Sequence, residues 1–168
     1  EPMLGWQKAY PELLKKIQEL DPIWSNRPFR LLPVTVETNG TQKMRPEFTD
    51  ILDYGILTWS VSPKLTVSGH SHEETIFPDV IRSYHSLSSD MYLKFVAQSV
   101  ADLDEVTEVV AKYNSVGVYC NVMIMPEGGT VDEFAKHNTL EMVSEAVKRG
   151  FNITTRLQVT IGANALGW

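Results

Sequence analysis

Four segments of this 168-residue chain carry side chains of the types that can hold small polar molecules, each beside Gly or Pro. They are Glu37-Thr38-Asn39-Gly40-Thr41, Ser62-Pro63-Lys64, Met125-Pro126-Glu127-Gly128-Gly129, and the stretch from Arg156-Leu157-Gln158 to the C-terminus. Between them they offer a carboxylate, amides, hydroxyls and cations. A carboxylate accepts from an ammonium, and a lysine beside a hydroxyl holds a carboxylate. The set therefore suits a polar zwitterion such as an amino acid. Taken singly, each segment is also what any α/β protein places at its turns.

Other chemistries lack their signatures. No serine sits in a Gly-x-Ser-x-Gly elbow, and neither a phosphate loop nor a dinucleotide fingerprint is present. Gly69-His70-Ser71-His72-Glu73-Glu74 could ligate a metal from an extended segment, but its Ser and Gly read as a surface loop. His85 and His137 fall on expected helices and read as surface or half-buried residues. Cys120 is the only cysteine, which excludes an internal disulfide and a Cys-rich metal site. It reads as a buried strand residue, and the lack of a disulfide framework fits a reducing compartment. Trp59, Tyr92, Phe95, Tyr119 and Phe134 follow strand or helix patterns and read mainly as core. Trp6 and Trp24 flank the first helix and are expected to pack it against its loop.

Composition narrows the class. A 43% hydrophobic share with moderate charge is that of an ordinary globular domain, and the length fits one domain over residues 1–168. No apolar run reaches the ~18 residues of a membrane span, and no leader pattern opens the sequence. A net charge of −6 argues against a broad nucleic-acid footprint.

The polar segments need strands and helices to position them. Residues 7–20 place Leu13, Leu14, Ile17 and Leu20 on one face, which predicts an amphipathic helix. Residues 21–30 hold two prolines and read as a loop. Strands are predicted at 31–37, 56–62, 92–98, 116–125 and 151–161, the fourth apolar enough to be buried on both faces. Short helices are expected at 46–52 and 78–84 within otherwise irregular sequence. Asp102 is expected to cap a helix bearing Val106, Val109, Val110 and Tyr113. Thr130 with Glu133, and Asn138 with Glu141, are capping-box patterns, so that helical region breaks and restarts before stopping at Arg149-Gly150. Strands alternating with helices predict an α/β fold with a mostly parallel sheet. In such sheets ligands bind beyond the carboxyl ends of the strands, where the four segments fall.

In order, these segments resemble one family: radical S-adenosylmethionine (SAM) enzymes of the 7-carboxy-7-deazaguanine synthase group. That family carries Gly-Gly-Glu-Pro, a helix, and a strand ending Glu-Thr-Asn-Gly-Thr. A strand ending Ser-Pro-Lys, a Leu-Lys-Phe-Val strand and an Arg-Leu-His or Arg-Leu-Gln strand with a short tail follow. Here Glu1-Pro2-Met3-Leu4 matches the second half of the first motif, and residues 37–41 match the next outright. Val61-Ser62-Pro63-Lys64, Leu93-Lys94-Phe95-Val96, Arg156-Leu157-Gln158-Val159, Gly162-Ala163-Asn164 and Gly167-Trp168 match the others. The ordered set spans the whole chain.

The resemblance implies the carboxy-terminal part of an incomplete (β/α) barrel in a cytoplasmic, homodimeric enzyme. It implies that Glu1 and Glu37 contact SAM, that Ser62, Pro63 and Lys64 bind it through their turn, and that Met125, Pro126, Glu127 and Gly128 meet its nucleoside. Gln158 and the terminal carboxylate of Trp168 would line the pterin site. The family converts 6-carboxy-5,6,7,8-tetrahydropterin to 7-carboxy-7-deazaguanine with release of ammonia, for queuosine and related deazapurines. It uses SAM, a 4Fe–4S cluster and Mg²⁺. The family's three-cysteine motif and the two glycines are absent here, so the chain alone is expected to be inactive. Its start at Glu1 reads as a start in mid-domain, and an uncovered sheet edge is expected to favour a dimer or higher assembly. Two alternatives remain: another radical SAM enzyme, such as an activator of glycyl-radical enzymes, and a non-catalytic ligand-binding module.

Overall fold

A computed structural model describes residues 3–5, 7–20, 34–49, 57–88 and 90–162. In chain order the elements are α1 (Tyr10–Leu20), β1 (Val34–Thr38), α2 (Pro46–Thr49), β2 (Leu57–Val61), a 3-10 turn (Thr66–Ser68), α3 (His72–Thr75) and α4 (Pro78–Ser86). β3 (Asp90–Ala97), α5 (Val100–Asn114), β4 (Asn121–Pro126), α6 (Val131–His137), α7 (Leu140–Lys148), β5 (Asn152–Ile153) and α8 (Leu157–Gly162) follow. The five strands form one parallel sheet in the order β1-β2-β3-β4-β5. The expected α/β class with a parallel sheet is correct. Among the described residues the five strands do not close into a barrel.

Alternation along the strands decides which face is buried. In β3, Met91, Leu93, Phe95 and Ala97 are buried, while Tyr92, Lys94 and Val96 between them are half-buried. Val36, Trp59, Val61, Val122 and Ile124 continue the buried face across the other strands. Val80, Ile81 and Tyr84 of α4, Leu103, Val106 and Val109 of α5, and Met142 and Ala146 of α7 pack into the same core. Thr35, Glu37, Thr58, Ser60, Lys94, Met123 and Met125 point to the opposite face, where Ser60 alone of these is fully buried. At the β1–β2 end, Trp59 stacks on Tyr84 with centroids 4.3 Å apart and planes 7° off parallel. Phe48 of α2 lies 5.6 Å from Trp59, and Tyr10 of α1 lies edge-on to Phe48 at 5.7 Å. The Tyr84 hydroxyl donates to the Gln42 carbonyl.

Several boundaries differ from expectation. Asp102 is the third residue of α5, not its cap. Ser99 holds the cap position, and the Asp102 carboxylate accepts the Gln98 and Ser99 N–H groups at 2.7 and 2.9 Å. Thr130 does cap α6, with Glu133 completing the box. The helical region restarts one residue later than expected: Thr139, not Asn138, caps α7. Both Val116 and Val118 donate to the Tyr113 carbonyl, so a tight turn occupies the first half of the expected fourth strand and β4 begins only at Asn121. The expected last strand stops at Ile153. Thr154 donates to Ile124, Arg156 turns back to the Gly128 carbonyl, and Val159 and Thr160 donate to Arg156 as α8 begins. The β-branched residues of that stretch favour a strand, but beyond Ile153 no ladder continues to hold one. Leu13 is 48% exposed, so it is not part of a buried face of α1. The side chains of Leu14, Ile17 and Leu20, and the loop at 21–30 with Trp24, lie outside the described residues, as does Trp6. No described helix is long and apolar enough to cross a membrane.

Trp59 carries the aromatic stack and is 0% exposed. Trp59→Ala is expected to cost about 3–5 kcal/mol of folding stability in chemical denaturation, through lost transfer energy and the cavity left behind.

Candidate functional site

Because every strand runs the same way, their carboxyl ends share one edge of the sheet. The ladders extend slightly past the strands: Ser62 N–H donates to the Thr38 carbonyl at 2.7 Å, and Glu127 N–H to Ala97 at 2.9 Å. Residues 37–41, 62–64 and 127–130 thus gather at that edge.

Glu37 and Ser60 are register partners on the face opposite the helices. Glu37 Oε1 accepts from Lys94 Nζ at 3.0 Å and from Ser60 Oγ at 3.5 Å. The Lys94 side chain is 19% exposed and that of Glu37 69%, so the lysine is embedded in the sheet and the carboxylate reaches outward. Glu37 Oε2 has no partner among the described residues. Val61 pairs with Leu93, so continuing the register sets Ser62 beside Lys94. The Ser62 hydroxyl and the Lys64 ammonium likewise take no hydrogen bond or ion pair among the described residues, and Lys64 is exposed while Pro63 between them is buried.

The neighbouring loops are satisfied internally. Asn39 Oδ1 accepts from the Thr41 N–H at 3.1 Å and hydroxyl at 2.9 Å, and Thr38 Oγ1 accepts from Gly40 N–H at 3.2 Å. Gly40 has φ of +79°, and a Cβ there would lie 2.6 Å from Ile81 Cδ1 and 2.9 Å from Val61 Cγ1. The Glu-Thr-Asn-Gly-Thr segment is therefore a turn that packs against the core, with Glu37 its outward functional group. After β4, a Cβ on Gly128 would run into the backbone of Phe134. The Gly128 carbonyl accepts from Arg156 Nη1 at 2.8 Å. Glu133 Oε2 accepts the Gly129 and Thr130 N–H groups at 2.9 and 3.2 Å, so these donors do not form an anion cradle. Glu127 points toward His137, whose Nε2 is 3.6 Å away and whose Nδ1 meets the Gln98 carbonyl at 2.8 Å. Met125 is half-buried on the open face, whereas Pro126 faces the helices and is buried.

Of the residues picked from sequence, the structure brings Glu37 and Ser62 to the same edge and face, with Lys64 just beyond. Glu127 and Gly128 lie at the same edge but engage partners of their own. Gln158 was expected on a strand; it is an exposed residue of α8, because the chain leaves the sheet after Ile153. Glu1, Trp168 and the tail at 163–168 lie outside the described residues. Ser60 and Lys94 escaped notice as a pair. A charged residue in mid-strand between apolar neighbours was the signal, since it requires a face the helices do not cover.

Among the aromatics, Trp59, Phe95 and Phe134 are buried as expected, but Tyr92 is half-buried on the open face and Tyr119 is 70% exposed. Cys120 is half-buried and precedes β4 rather than lying within a strand, and burial pushes its thiol up to about 11. The segment around His70 and His72 is not a plain surface loop. It follows the 3-10 turn and leads into α3, and both His72 ring nitrogens have protein partners: Glu105 at 2.7 Å and Lys112 at 3.0 Å. Among the described residues, no group of three His, Cys, Asp or Glu side chains could hold a metal ion.

No family model, curated protein or solved structure matches this chain.

Glu133 gives the strand-end loop a pH signature. The Gly129 and Thr130 N–H groups hold its carboxyl below its ordinary value. A lowered folded-state value stabilises the protein above the unfolded value, and that stabilisation is lost as pH falls through the folded one. Glu133→Gln should therefore flatten the fall in urea midpoint on acidification below about pH 4.5, with denaturation curves across that range as the check.

Proposed function

We propose that this chain is the distal part of a radical SAM partial barrel, with the sheet face opposite the core-forming helices as its ligand-facing interior. Strands in chain order, all parallel, with the core-forming helices on one face, support that class: a doubly wound sheet would reverse its strand order and carry helices on both faces. Within the class, we infer the 7-carboxy-7-deazaguanine synthase type, which acts on 6-carboxy-5,6,7,8-tetrahydropterin. The ordered motif resemblance supports this, and one observation carries it. Glu37 offers an outward carboxylate held by Lys94 and Ser60, while the donors of Ser62 and Lys64 stand unspent at the adjoining strand end.

That arrangement fits the amino-acid end of SAM. Glu37 Oε2 would accept from the ammonium, and the Ser62 hydroxyl and Lys64 ammonium would donate to the carboxylate. Lys94 holds the Glu37 side chain extended through its 3.0 Å contact to Oε1, which leaves Oε2 facing outward. Met125 would give the nucleoside apolar surface, with Glu127 and Gly128 in the braced loop beside it. Gln158 and Trp168, with Glu1, keep the roles that the resemblance implies.

The cluster fits this chain poorly. Such clusters are held by several thiolates, whereas Cys120 stands alone and partial burial makes its thiol resist ionisation. No step is therefore assigned to a cluster here, nor to Mg²⁺. The role of these residues is to bind and orient SAM and to present a polar face to the pterin.

Calorimetry with SAM tests the reading. Lys64→Ala and Glu37→Gln should each weaken binding about tenfold, the worth of one charge-assisted hydrogen bond lost. Unchanged affinity in both variants would sink the assignment. The purified chain, reconstituted with iron and sulfide, should release no 5′-deoxyadenosine from SAM under reducing conditions; its appearance would overturn the statement that the chain lacks a competent cluster site.

A further inference from the structure

The His70–Glu74 segment takes no part in the site above, yet it is wired to it. After Lys64 the chain leaves the sheet, and Leu65 anchors it in the core at 2% exposure. Glu105, on α5, then receives three bonds from the segment that follows. Its Oε1 accepts from Thr66 N–H at 2.8 Å and from His72 Nε2 at 2.7 Å, and its Oε2 accepts from the Thr66 hydroxyl at 2.8 Å. The His72 and Glu105 side chains are only 21% and 15% exposed. Lys112 Nζ lies 3.0 Å from His72 Nδ1; with the lysine donating, Nδ1 is the acceptor and Nε2–H the donor to Glu105. Burial alone would raise the Glu105 carboxyl, but the bonds from Thr66 and His72 outweigh it and hold the group ionised.

The last link returns to the site. Thr75, at the end of α3, donates its hydroxyl to the Lys64 carbonyl at 2.8 Å. Lys64 is thus held from two directions. One is the chain two residues on, where Glu105 grips Thr66. The other is α3, where Glu105 grips His72 and Thr75 grips Lys64.

We infer that Glu105 is a positioning residue that presets the Ser62-Pro63-Lys64 turn, through Thr66 on one side and His72 with Thr75 on the other, for the carboxylate of a bound amino acid. This rests on the reading of Ser62 and Lys64 proposed above. Its role is geometric rather than one of net charge. In Glu105→Gln the side-chain oxygen still accepts from Thr66 N–H and His72, and the amide can donate to the Thr66 hydroxyl, so that variant should restore what alanine removes.

The test uses the 168-residue chain and two probes: S-adenosylhomocysteine, which has the amino-acid end, and 5′-methylthioadenosine, which lacks it. Glu105→Ala should weaken the first about tenfold and leave the second within about twofold, because only the carboxylate contact depends on the turn. Glu105→Gln should bind both as the wild type does. Hydrogen exchange supplies an arm independent of ligand: in Glu105→Ala the amides of residues 66–76 should exchange faster while those of β3 stay protected. Unchanged exchange at 66–76 refutes the clasp, and equal weakening of both probes refutes a specific positioning role. Failure of the wild type to bind S-adenosylhomocysteine overturns the ligand reading and this role with it, even where exchange shows the clasp intact.

Discussion

One constraint governs this molecule: among the described residues, α4, α5 and α7 bury the same face of the sheet. The strands are parallel and follow chain order, so each connection must cross over and return. β3 is the spine, pairing with β2 through Asp90–Leu93 and with β4 through Tyr92–Ala97. Its buried residues meet α4 and α5, and the Trp59–Tyr84 stack carries the same layer to the β1 end. With one face committed to the core, the other mixes the polar Glu37, Ser60 and Lys94 with the half-buried Tyr92, Val96, Met123 and Met125. The common strand direction then brings all the following loops to one edge.

The Glu37–Lys94 pair belongs to that second face, and its energetics are informative. An exposed ion pair contributes only about 0–1 kcal/mol, and Glu37 is largely in water. Lys94 is not, so losing its partner would leave a partly desolvated ammonium in mid-sheet. An apolar residue at position 94 would relieve that cost and would suit a face meant to be covered. The lysine fits the proposed reading of this face as one that meets a polar ligand.

Much of this was legible beforehand. The third strand, predicted at 92–98, and the Thr130–Glu133 capping box declared themselves, because they depend on local chemistry alone. The turn at Asn39-Gly40 did too, since a bound Asn and a left-handed Gly fold it without outside help. The last segment did not. Val159, Thr160 and Ile161 are strand formers, and only the loss of a ladder beyond Ile153, with Arg156 drawn back to Gly128, makes them helical. The partners of His72 lie 33 and 40 residues away in sequence, so no local pattern distinguishes its clasp from a polar loop. Glu37 could be picked as a ligand group, but its dependence on Lys94, 57 residues on, is a product of strand register.

The loops at the strand ends divide their labour, and that division argues for where a ligand is recognised. After β1, Thr38 and Asn39 spend oxygens on their own turn; after β4, Glu133 absorbs the Gly129 and Thr130 donors while Arg156 covers Gly128. Loops closed in this way brace a site but have little left to offer an anion. After β2 the pattern reverses. The backbone around Lys64 is held by Thr75, by a buried Leu65 and, through Thr66, by Glu105, yet the Ser62 hydroxyl and Lys64 ammonium make no bond among the described residues. A fixed backbone with unspent donors is the preorganised state that lowers the ordering cost of binding. On the proposed reading, recognition of an anion at this edge would thus fall to the β2 loop, and recognition of a cation to the Glu37 carboxylate beside it.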